Sequence, residues 1–87
     1  MNKNIQPTEQ SLQAFANNSN VITLKSFIAA NDFKSDMRRE VKVANLLVAI
    51  AYHEEIIAPL LHTVESWAKK EYLQIHADNI KELESYN

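Results

Sequence analysis

Apolar side chains recur along this chain at three- and four-residue intervals, the spacing of one face of an α-helix. Leu12, Phe15 and Ala16 form a short stripe behind Pro7 and Glu9, and Pro7 suits a first helical turn, where its missing N–H costs nothing. A helix over 7–17 follows, with residues 1–6 expected to fray. Asn17-Asn18-Ser19-Asn20 reads as a loop: asparagine tolerates left-handed φ and closes one helix, and Ser19 or Asn20 caps the next. Leu24, Phe27 and Ile28 then mark a helix over 21–30.

Ser35, as N-cap, opens a third helix over 35–57. Met37, Val41, Ala44, Val48 and Ala51 line one of its faces, and Val43, Leu46, Leu47, Ile50 and Ile57 line the neighbouring one. Within Val43–Tyr52 only Asn45 interrupts an apolar arc wider than half the circumference, which predicts burial on more than one side. Pro59 removes a hydrogen bond and clashes with the carbonyl of Glu55, so it predicts a turn into an antiparallel partner or, as the second choice, a kink. The last helix, over 60–84, carries a stripe of Leu61, Val64, Ala68, Tyr72, Ile75 and Leu83, with Trp67 at its edge. A second strip of Leu73, Ala77 and Ile80 again suggests two packing partners. The pattern predicts a single all-α domain over 1–87, a small bundle of about four helices with the last two longest.

Composition narrows the chemistry. The 87 residues include no glycine and no cysteine. Phosphate-cradling loops and tight hairpins lean on glycine, so their absence speaks against P-loops, dinucleotide fingerprints and hairpin-rich sheets. Disulfides, thiol nucleophiles and thiolate zinc sites are excluded outright. MNKNIQPTEQ has no apolar core of a signal peptide, and the longest apolar run is short of the ~18 residues a membrane span needs. A cytoplasmic location away from membranes is therefore expected. Charge is uneven: five cations against three anions between Leu24 and Lys42, then three cations against seven anions from Val43 onward.

Three chemistries merit weighing. His53, His62 and His76 accompany several carboxylates, but His62-x-x-Glu65 occurs once and in reversed order, and Lys69 sits between His62 and His76 on one helix face. No metal and no cofactor are expected. The serines lack flanking glycines and no triad pattern stands out, so no catalytic residue is assigned and a non-enzymatic role is expected. The segment Leu24–Lys42 loosely has helix-turn-helix spacing, and Lys25, Lys34, Arg38, Arg39 and Lys42 are its candidates for an anion or nucleic acid. Interspersed Asp36 and Glu40 and a pI near 5.9 count against it. The leading expectation is an interaction module, a small regulator, inhibitor or adaptor that is homodimeric or docks on another protein. Leu46, Leu47, Ile50, Ile57, Trp67, Leu73 and Ile80 are its candidate interface residues. A small DNA-binding regulator is the alternative.

Overall fold

The computed structural model describes residues 4–31 and 38–86. The chain is all-α, with helices α1 (Glu9–Ala16), α2 (Ser19–Ala30), α3 (Arg38–Tyr52) and α4 (Ser66–Glu84). Between α3 and α4 the backbone stays helical in other windings, a π turn over His53–Ile57 and a 3₁₀ stretch over Ala58–Thr63.

Local chemistry explains the boundaries. Thr8, not Pro7, opens α1: its Oγ1 accepts the Ser11 N–H at 3.1 Å, and the Ser11 hydroxyl oxygen accepts the Thr8 N–H at 2.8 Å. Serine here takes the part glutamate usually plays in a capping box. Asn17 closes α1 at φ −98°, so no left-handed residue is used at this junction. Asn18 then caps α2, its Oδ1 accepting the Asn20 N–H at 2.8 Å, and the helix begins two residues before the expected start at Val21. The candidate cap Ser35 lies outside the described residues, as do Phe33, Lys34, Asp36 and Met37.

The break expected at Glu55–Pro59 falls instead at Val64–Glu65, where the backbone becomes extended. The π turn explains the difference. The Ala58 N–H reaches back five residues to the His53 carbonyl, which widens the helix just before Pro59. Pro59 then sits in the first turn of the 3₁₀ stretch, where its missing N–H leaves no gap. The chain reverses after Val64, and α4 returns antiparallel to α3. Arg39 at the start of α3 donates to the Tyr86 carbonyl beyond the end of α4 at 2.8 Å.

The core lies under this reversal. Ile5, Ile56, Ile57, Leu61, Val64 and Ala68 form a buried cluster, with Phe15, Tyr52, Leu60 and Tyr72 packed against it. Ile5 is buried although it lies in the segment expected to fray. Phe15 meets Tyr52 edge-on, ring centroids 6.0 Å apart. α3 is central: it packs against α2 on one side and α4 on another, and α1 packs against the π turn. Leu46, Leu47, Ile50 and Ala51 fill these contacts and are buried.

Two carboxylates fasten the π turn to the start of α2. Asn18 Nδ2 donates to Glu55 at 3.0 Å and Asn20 Nδ2 donates to Glu54 at 2.9 Å. Asn18 is buried and serves both the cap and this tie. Asn18→Ala should therefore lower the unfolding free energy by about 1–2 kcal/mol, read as a fall in the urea midpoint. Asn18→Asp keeps the cap acceptor but sets a second carboxylate against Glu55, and should also be destabilising at neutral pH.

Candidate functional site

The same central helix has one side that the described residues cover only in part. Val41, Asn45, Val48 and Tyr52 follow one another along α3 at spacings of four, three and four residues, the seam of a coiled coil. Yet Val41 and Val48 are exposed, Val48 at 39%. The seam borders an open groove of about 520 Å³ between α3 and α4. Asn45, Val48, Ala49 and Tyr52 form the α3 wall; Tyr72, Ile75, His76 and Asn79 form the α4 wall. Ile75 is 50% exposed on the rim. The lining carries no lysine, arginine, aspartate or glutamate. Asparagines stand on both walls, as polar residues do at helix seams that must choose a register.

Two imidazoles line the groove between its Asn45 and Asn79 end and its Ile57 and Tyr72 end. The π turn directs His53 toward α4, where its ring stacks on His76 with centroids 3.8 Å apart and planes 8° from parallel. His53 is buried, and Nδ1 of His76 is buried without a hydrogen-bond partner. Burial, and then the neighbouring His76, hold the His53 pKa below its usual 6.5, with Glu54 pulling weakly the other way. Neutral His53 is thus the form the fold favours. Its contribution to stability is full above about pH 6.5 and is lost as the pH falls through the lowered value. Stacked rings aim their lone pairs along parallel planes, so the pair does not converge on one metal ion. Among the described residues no group of three or more metal-ligating side chains forms.

The structure separates the residues singled out from the sequence. Leu46, Leu47 and Ile50 are buried among the chain's own helices, and Ile57, also buried, lines the groove. Of the wide apolar arc, Val41 and Val48 stay exposed, while Tyr52 is half-buried against Phe15. Trp67, Leu73 and Ile80 are exposed. Leu73 and Ile80 lie on the flank of α4 away from Ile75, and the Trp67 indole N–H is engaged by Glu65 at 3.0 Å. Of the candidate anion contacts, Lys34 lies outside the described residues. Lys25 is exposed on α2, and Arg38 and Lys42 are exposed on the first turns of α3. Arg39 is committed elsewhere, over the Tyr86 ring and to the Tyr86 carbonyl. His62 is exposed on the 3₁₀ stretch, apart from the stacked pair.

Comparison with family models, with curated proteins and with solved structures finds no match. Function must therefore be argued from the surface itself, and its dimensions are informative. The chain exposes 6096 Å², whereas a monomer of this mass ordinarily exposes about 5,200 Å². The excess of roughly 850 Å² is close to what one partner contributes to an interface of standard size. Its radius of gyration is 14.2 Å, against about 12 Å for a compact chain of this length.

The stretch Arg38–Thr63, 26 residues of continuous helical backbone, is also long and apolar enough to cross a membrane by length and composition. It carries Glu54 and Glu55, both tied to α2 side chains.

Proposed function

We propose that this chain is a non-enzymatic helical interaction module that works as a homodimer, with a second copy seated on the α3–α4 groove. The observation that carries this reading is the four-three-four row of Val41, Asn45, Val48 and Tyr52, its first three positions exposed and Tyr52 half-buried, on a helix whose other sides are already packed. A pair of antiparallel helices with one open apolar face is half of a four-helix bundle. A second copy supplies the missing half with the same residues, as a two-fold contact requires.

Charge supports the self-association. Arg38 and Lys42 are exposed at the start of α3, and Asp78 and Glu82 are exposed toward the end of α4. Because Asn45 and Asn79 share the groove and Arg39 reaches Tyr86, these groups lie level along the bundle. A two-fold axis running along the helices sets the basic start of each α3 beside the acidic end of the partner's α4. Such rim pairs contribute modestly to affinity and more to orientation. The ties from Glu54 and Glu55 to α2 favour reading Arg38–Thr63 as the central helix of a dimer in water.

Light scattering on a gel-filtration column over a dilution series tests the reading. The expected result is twice the 10.0 kDa chain mass at micromolar concentration, falling toward one chain mass on dilution. A single chain mass at every concentration up to hundreds of micromolar would remove it.

A further inference from the structure

We propose that the stacked pair His53–His76 makes the dimer contact proton-controlled, so that the second copy is held while both rings are neutral and released when they take up protons. The inference rests on the reading of the groove as the dimer contact, and it adds a regulatory input to that site.

At 3.8 Å and 8° from parallel, the two rings share one small volume within the groove. A proton on one places a cation against the face of the other, and protons on both place two cations face to face. A seated copy would cover the groove and exclude water from the pair, so protonation opposes seating more strongly than it opposes the open form. His53 is already buried in the uncovered chain and starts biased toward neutrality.

The surrounding charges do little to relieve the repulsion. Within the π turn, Glu54 attracts the proton, but burial and His76 outweigh it; Glu54 accepts from Asn20 and Glu55 from Asn18. α4 offers Tyr72 beside His76, and α3 offers Tyr52. α1, packed against the turn, has Glu9 as its one titratable residue, at its first position. α2 has Lys25 alone and the 3₁₀ stretch has His62 alone. With the two-fold axis along the helices, the seated copy presents the same groove residues at this level, Tyr52, Val48 and Ile75. The released chain binds protons more readily than the dimer, so affinity falls as the pH drops through the lowered His53 value of the released chain.

The test is sedimentation of the full chain at pH 7.5 and pH 5.0, with helicity followed by circular dichroism. The parent dimer should weaken at least about tenfold at pH 5.0 while helicity is retained. The double variant His53→Phe, His76→Phe keeps two flat stacked rings without titration, and should dimerise equally at both pH values. His62→Gln should behave as the parent. A parent dimer of equal strength at both pH values, a double variant that keeps the parent's pH dependence, or loss of helicity in step with loss of the dimer overturns proton control and leaves the groove reading standing. A parent that is monomeric at pH 7.5 overturns both.

Discussion

Ile56→Ala is expected to lower the unfolding free energy by about 3–4 kcal/mol, the largest stability effect of any single truncation in the chain. Ile56 is the largest side chain with no exposed surface, and it lies where the π turn, α1 and the start of α4 converge. Removing three carbons there loses their transfer free energy and leaves a cavity that a stiff helical junction closes poorly. The whole domain commands only roughly 4–13 kcal/mol, so the loss is a large share of it. The melting temperature should fall by about 12–30 °C. Ile22→Ala is the contrast: Ile22 is 54% exposed on α2, and its truncation should change stability by no more than about 0.5 kcal/mol. Thermal melts of both variants at one protein concentration check the difference. Equal effects would mean that the reversal after Val64 is not the core of the fold.

Val48→Asp is expected to dissociate the dimer while leaving the chain folded. Val48 points into the groove and is partly exposed before any partner arrives, so a carboxylate there is solvated in the monomer. In the dimer the same carboxylate is buried in a lining without lysine or arginine, at neutral pH a cost of several kcal/mol. The dissociation constant should rise by at least about 100-fold, since each 1.4 kcal/mol is a factor of ten. Helicity should be close to the parent's. Leu73→Asp, on the other flank of α4, should leave the dimer unchanged. The comparison separates the groove from the second exposed strip as the contact, and analytical ultracentrifugation reads both.

The helices were legible in the sequence because their apolar spacing is local. Four of them, and the central place of Val43–Tyr52, follow from periodicity and caps alone. Legibility ended where geometry depends on how segments cross. An arc as wide as that of α3 says that several partners are needed but not which part of it each partner takes. Leu46, Leu47, Ile50 and Ile57 are the most apolar positions, and for that reason the chain's own helices cover them. The part left exposed is the weaker row through Val41, Asn45 and Val48, which ends at the half-buried Tyr52. Its four-three-four spacing, with the lone asparagine at an inner position, was the available signal. The π turn left no mark, because apolar spacing around His53–Ile57 fits an ordinary helix as well. Nor could His53 and His76, 23 residues apart, be paired before the register of α4 on α3 was known.

That register leads to the most direct test of the groove as a self-association surface. One variant carries Arg38→Glu and Lys42→Glu; the other carries Asp78→Lys and Glu82→Lys. Each alone should be a weaker dimer than the parent, because each sets like charges across the two-fold contact. Mixed in equal amounts, they restore opposite charges at both symmetric contacts, and mass measurement should find the two-chain species to be mainly one copy of each. Two variants that dimerise as strongly as the parent and assort at random when mixed would contradict the proposed seating of α3 beside the partner's α4.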